Sequence, residues 1–240
     1  MPVAAMLSLA SAPAHAEPAT YAAREIRGSV VDEQTGEPLE GVVVVAQWEL
    51  VREVIPGVRD REPGERLRIE EAVTGRDGRY AIAAWGPLPR PAFTRLEHRD
   101  PQLSFFKPGY YPWTVANEVR GTPGREALRA SQWDGKTIRL VRVTGQAREV
   151  VLEDGRFRTT VRLDGTLRQY ASWVRDLQIS LQWTRDNDDW KRYPRMVLAL
   201  KRERERLQAA GLDRNHQIER TSSLHGGAQA VDRFLGAPEK

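Results

Sequence analysis

Gly28-Ser29-Val30-Val31-Asp32-Glu33-Gln34-Thr35-Gly36-Glu37-Pro38-Leu39-Glu40-Gly41-Val42-Val43-Val44-Val45 is the stretch whose reading decides the fold. It reads as strand, turn, strand. Val30 and Val31 end the first strand. Thr35-Gly36 and Pro38 punctuate the connection, because glycine permits positive φ and proline fixes φ at about −65°. Gly41 lets the chain bend into Val42, and four consecutive β-branched residues suit a strand buried on both faces.

Working outward, the same pattern repeats. Residues 21–31 read as the first strand, with Ile26 and Val30 on one face. Residues 42–54 form a long second strand carrying Trp48, and 67–74 a third. Asp77-Gly78 is a tight-turn signal, after which Tyr80, Ile82 and Ala84 alternate. Residues 85–101 are rich in proline (Pro87, Pro89, Pro91, Pro101) and read as an ordered excursion or flap. Short strands follow at 103–106 and 113–115, and 136–143 closes the set. The expectation is a mainly β chain: a seven-stranded antiparallel β-sandwich spanning residues 21–145.

The spacing Gly28-x-Val30-x-Asp32-x-x-Thr35-Gly36-x-Pro38-Leu39-x-Gly41-Val42-x-Val44 resembles the signature of the carboxypeptidase regulatory-like domain. Ala72-Val73-Thr74-x-x-Asp77-Gly78-x-Tyr80, Leu103-Ser104-Phe105, Lys107-Pro108-Gly109-Tyr110 and the closing Ile138-x-Leu140 are similar to its second half. The resemblance covers about residues 24–143 and implies a transthyretin-like (prealbumin-like) sandwich of the kind found in exported, non-catalytic domains. The chain departs from the family in longer loops at 53–66 and 85–101, where a specific function can be grafted.

The remaining residues read as an extension. Residues 148–163 form a hairpin turning at Asp154-Gly155. Asp164 or Thr166 caps a helix with Leu167, Tyr170, Val174, Leu177 and Leu181 on one face. Pro194 opens a second helix that Gly211 ends. Residues 146–212 are thus a hairpin plus a two-helix extension, and 213–240 a loosely ordered tail. Lys201 to Arg206 alternates in sign and reads as a solvated face.

Residues 1–16 are apolar and small, and Ala14-His15-Ala16 has the form of a signal-peptidase site. The positively charged leader segment is missing, as it would be if the start lay inside a longer signal peptide. The competing reading is a disordered Ala/Pro-rich leader. A periplasmic or secreted protein is the expectation. No later run reaches the length of a membrane span. Net charge is +4, with 37 basic residues nearly matched by 33 acidic ones and not gathered into a block, so no nucleic-acid partner is expected. The absence of cysteine excludes disulfides, thiol nucleophiles and Cys-ligated metals.

Chemical motifs are thin. His216-x-x-Glu219, with His225 nearby, has the H-x-x-E form of zinc carboxypeptidases, but those enzymes draw their last histidine from a distant strand. Intradiol dioxygenases, which share such sandwiches, hold iron through two Tyr and two His; Tyr110 and Tyr111 are present without a His-x-His pair. His98 lies in the charged run Glu97-His98-Arg99-Asp100 and reads as a surface residue. Asp186, Asp188 and Asp189 read as an inter-helix turn rather than a Ca²⁺ loop. No catalytic residue, cofactor or metal is expected. Trp85, Trp113 and Trp133 fall in or near loops and are the candidate ligand-binding residues, with loop and core packing as the alternative. Trp173, Trp183 and Trp190 read as docking the first helix onto the sandwich. The function expected is a non-enzymatic binding or scaffolding role at the cell envelope, its partner an envelope protein or glycan. The alternatives are a carbohydrate-binding module and a metal-dependent hydrolase with its site on the sandwich loops.

Overall fold

A computed structural model describes residues 18–52, 65–118, 127–154, 157–181, 188–212 and 224–236. The chain is mainly β. Its strands are β1 (Thr20–Ala23), β2 (Ile26–Asp32), β3 (Val43–Arg52), β4 (Arg66–Val73), β5 (Arg79–Ile82), β6 (Trp85–Pro89), β7 (Thr94–Leu96), β8 (Gln102–Phe106), β9 (Trp113–Ala116), β10 (Leu128–Arg129), β11 (Lys136–Leu140), β12 (Arg148–Asp154) and β13 (Phe157–Leu163). Three helices accompany them: α1 (Leu167–Ser180), α2 (Pro194–Ala209) and α3 (Gly227–Leu235).

Strand β3 is the middle of the molecule. It pairs antiparallel with β4 on one side and β8 on the other, so that Val44 faces both Ala72 and Phe105. β9 extends this sheet, and β7 pairs with the far end of β3. A second sheet has the order β11-β2-β5, and a third the order β10-β1-β6. The run of valines is buried on both faces, as its composition requires. Val42, Val44, Ala46 and Trp48 join Val30, Ile82, Phe105 and Ile138 in one core. Val43 and Val45 turn the other way and join Tyr170, Val174, Met196 and Val197 from the helices. Each such valine removed from water contributes about 1.5–3 kcal/mol.

Both expected helices begin at the expected residues. Thr166 caps α1, its Oγ1 accepting the Gln169 N–H at 3.1 Å. Pro194 opens α2, whose first-turn N–H groups at Arg195 and Met196 donate to the Glu71 carboxylate of β4 at 3.1 and 2.7 Å. Trp173 stacks on Trp113 and meets Tyr111 edge-on, docking α1 against β9.

Four expectations need correction. The sheets are not wholly antiparallel: β11 runs parallel to β2, from Lys136 opposite Gly28 to Leu140 opposite Asp32. The chain returns to the end where β2 begins, and the Gly135 N–H donates to the Arg27 carbonyl there. The first strand is broken at Arg24-Glu25 into β1 and β2, which serve different sheets. The tail is not all loosely ordered, because α3 buries Val231 and sets Phe234 edge-on against Trp190. A third helix thus follows the two of the extension. Finally, Lys201 to Arg206 is not all solvated: Glu203 is 1% exposed and takes a forked ion pair from Arg206. The leader, the loop at 53–64, Gly155, Trp183, Asp186, His216 and Glu219 lie outside the described residues.

Candidate functional site

Two polar sites lie along the β2–β11 pair. The first is closed. Asp32 ends β2 and is 2% exposed. Its Oδ1 accepts the N–H groups of Gln34 and Thr35 at 2.9 and 3.2 Å. Its Oδ2 accepts the Tyr110 hydroxyl at 3.1 Å and the Arg142 guanidinium at 3.2 Å. Burial alone would raise this carboxyl; the Thr35, Gln34, Tyr110 and Arg142 donors hold it below its usual value. The arrangement clamps the turn after β2 to the chain on either side of β9 and β11. With every donor used, it is a support for the fold.

The second site is open. A cleft of about 480 Å³ separates β11 from β12. Thr137, Ile138 and Arg139 line one wall, and Glu149, Val150, Val151 and Leu152 the other. Consecutive residues of both strands contribute to the lining, as strand edges would. Among the described residues β11 is paired only to β2 and β12 only to β13. Trp113 and Trp133 close the cleft, together with Glu33 and Arg158. The Trp133 indole N–H donates to the Ala116 carbonyl at 3.1 Å, and Glu33 pairs with Arg148 at 3.2 Å. Thr137, Arg139, Glu149 and Val151 are exposed, while Ile138, Val150 and Leu152 are buried. The cleft thus has an apolar floor and rims of both charges.

The three candidate tryptophans do not share a solvent-facing platform. Trp85 is 8% exposed and packs edge-on against Trp48 inside the core, ring centroids 5.2 Å apart. Trp133 is 7% exposed, and Trp113 is half-buried against Trp173. Only Trp113 and Trp133 come together, at the cleft. The sequence reading missed the cleft's rims. Its one signal was Val151, an apolar residue 47% exposed on the outer face of an otherwise alternating strand.

The remaining chemical candidates are dispersed. His98 is half-buried, with Nδ1 3.2 Å from the Arg95 guanidinium. Asp100 Oδ2 accepts the Glu49 N–H at 2.6 Å at the bulge of β3, and burial pushes its carboxyl well up. The Tyr111 hydroxyl donates to Gln169 Oε1, away from the Tyr110–Asp32 bond. Asp188 accepts from Lys191 and pairs with His225, and these contacts hold its carboxyl low. Among the described residues no three His, Asp or Glu side chains converge as a metal set. Among those residues also, no helix is long and apolar enough to cross a membrane.

No family model and no curated protein matches the chain. Solved structures do. It is similar to 3-chlorocatechol 1,2-dioxygenase from Rhodococcus opacus 1CP, at 16% identity over 51% of this chain and 61% of that one, with a TM-score of 0.29. Chlorocatechol 1,2-dioxygenase from Pseudomonas putida gives 16% identity over 52% and 61%, with a TM-score of 0.28. The major plantain pollen allergen Pla l 1 gives 14% identity over 50% and 93%, with a TM-score of 0.23. The chain spans about three fifths of the length of the two dioxygenases.

Proposed function

We propose that this chain is a non-enzymatic binding module of the cell envelope, exported to the periplasm or beyond, with the β11–β12 cleft as its recognition surface. In this reading β2, β3, β4, β5, β8, β9 and β11 are the seven strands of a transthyretin-like sandwich, related to the carboxypeptidase regulatory-like domain. The hairpin and helices are added to it to build the second wall of the cleft. The observation that carries the reading is the cleft itself, an apolar floor with two tryptophans between charged rims and two unpaired strand edges.

The test is a panel of envelope glycans and peptides titrated against ¹⁵N-labelled protein. Shift changes centred on Arg139, Val151 and the Trp133 indole are expected. Turnover of any panel member by the protein, or shift changes confined to other surfaces, would overturn the reading. Export has its own test: release by osmotic shock from a Gram-negative host is expected, and retention in the cytoplasm sinks it.

A further inference from the structure

The two walls of the cleft are both strand edges, and this restricts what fits between them. In β11 the Leu140 carbonyl accepts the Glu33 N–H at 2.9 Å. Residue 140 therefore directs its peptide groups at β2. By the alternation of a parallel ladder, Thr137 and Arg139 direct their N–H and C=O groups the other way, into the cleft. On the opposite wall the outer edge of β12 carries its own row without a partner strand among the described residues, where β12 pairs only with β13. A protein leaves two facing edges open only where something shields them or is meant to join them.

We propose that the cleft takes an extended peptide segment of a partner protein, inserted as a strand between β11 and β12. This rests on the binding-module reading and names its partner class. The four lining residues of β12 span about 13 Å, enough for about four residues of such a peptide. Side chains turned inward meet Trp113, Trp133, Ile138, Val150 and Leu152 and must be apolar. Those turned outward lie between Arg139 on one rim and Glu149 on the other and are polar or charged. The partner segment is therefore an alternating apolar/polar run, held by main-chain bonds on both sides and selected by its inward side chains.

A strand inserted between two edges uses both alternating sets of its amides, one set on each wall. A peptide lying over the cleft by its side chains uses neither. The probe is an array of seven-residue peptides with Val, Leu, Ile or Phe at alternate positions and Ser, Thr, Lys or Glu between. At least one peptide is expected to bind. Methylating any single central amide nitrogen of that peptide is expected to weaken binding about five- to tenfold, the loss of one main-chain bond. Thr137→Pro removes one outward N–H from β11 and is expected to weaken binding to a similar extent. The peptide-side methylation needs no change in the protein, so it stands even if that variant misfolds.

Binding indifferent to methylation overturns strand insertion. So does a concentration-dependent dimer abolished by Thr137→Pro, which would place a second copy in the cleft. A glycan that binds the wild type and not Arg139→Glu, with no peptide binding, overturns the peptide while leaving the binding module standing. Shift changes confined to other surfaces for every peptide and glycan overturn both.

Discussion

The Asp32 clamp and the β11–β12 cleft lie a few residues apart along the same strand pair, and they treat polar groups in opposite ways. At the clamp, a buried carboxylate meets a donor at each of its lone-pair directions, from Gln34, Thr35, Tyr110 and Arg142. At the cleft, β11 and β12 each keep one edge without a partner strand among the described residues. A satisfied buried group stabilises one arrangement of the chain. An open edge adds nothing to the isolated fold and is available to a partner. The difference separates residues that hold the structure from residues that await something else.

Among changes at the clamp and its turn, the largest effect is expected at Asp32. Asp32→Ala leaves the Tyr110 hydroxyl and the turn N–H groups facing an apolar methyl. A loss of about 3 kcal/mol is expected in urea denaturation, most of it from the buried donors. The Arg142 side chain is 56% exposed, so its ion pair adds little. Gly78→Ala comes next. Gly78 has φ +72°, and a Cβ there would stand 2.5 Å from the Val30 carbonyl oxygen. Strain and clash together are expected to cost about 2 kcal/mol in the same measurement.

Acid titration sharpens the contrast between two buried carboxylates. Asp32 is held low in the fold, so its contribution is present above the unfolded value of about pH 4 and is lost as pH falls through the folded value. Asp100 is pushed high by burial, so its contribution is fully present below the unfolded value and is lost as pH rises through the folded one. Urea midpoints measured from pH 3 to 8 should therefore respond in opposite senses. Asp32→Asn is expected to flatten the acid limb and lower stability at pH 7. Asp100→Asn is expected to raise stability at pH 7 relative to pH 4. Parallel responses in the two variants would contradict the assignment.

The parts legible in the sequence are those set by local geometry or by composition. The valines of β3 announce burial on both faces, Asp77-Gly78 announces its turn, and Thr166 and Pro194 announce helix starts. Strand direction is not local: Ile138 and Leu140 alternate identically whether β11 runs with β2 or against it, so the parallel pairing left no trace. Helix α3 had a trace, Val231 with Phe234 and Leu235 at helical spacing, but the flanking Gly226 and Gly227 read as loop. The candidate site was half legible. Trp85, Trp113 and Trp133 are all candidates by loop context, yet Trp85 lies in the core against Trp48 and only the other two line the cleft. What brings Arg139 and Glu149 onto facing rims is the docking of the hairpin, a tertiary event with no sequence period.

The smallest effect on stability is expected where the contrast is finest, between two neighbours on β12. Val150 is 3% exposed and packs into the core beneath the hairpin; Val151 is 47% exposed on the cleft rim. Val150→Asp places a carboxylate in apolar surroundings and is expected to cost about 3 kcal/mol or more. Val151→Asp changes a surface position and is expected to shift the urea midpoint by no more than about 0.5 kcal/mol. If the cleft is the recognition surface, this nearly silent variant is the one that loses binding, because it adds charge beside Glu149 at the rim and makes the wall more polar. A Val151→Asp protein that folds normally and binds the same peptide as tightly as the wild type would move the recognition surface elsewhere. The two neighbours together thus test one proposition, that along β12 the residues needed to fold and the residues needed to bind alternate with the pleat of the strand.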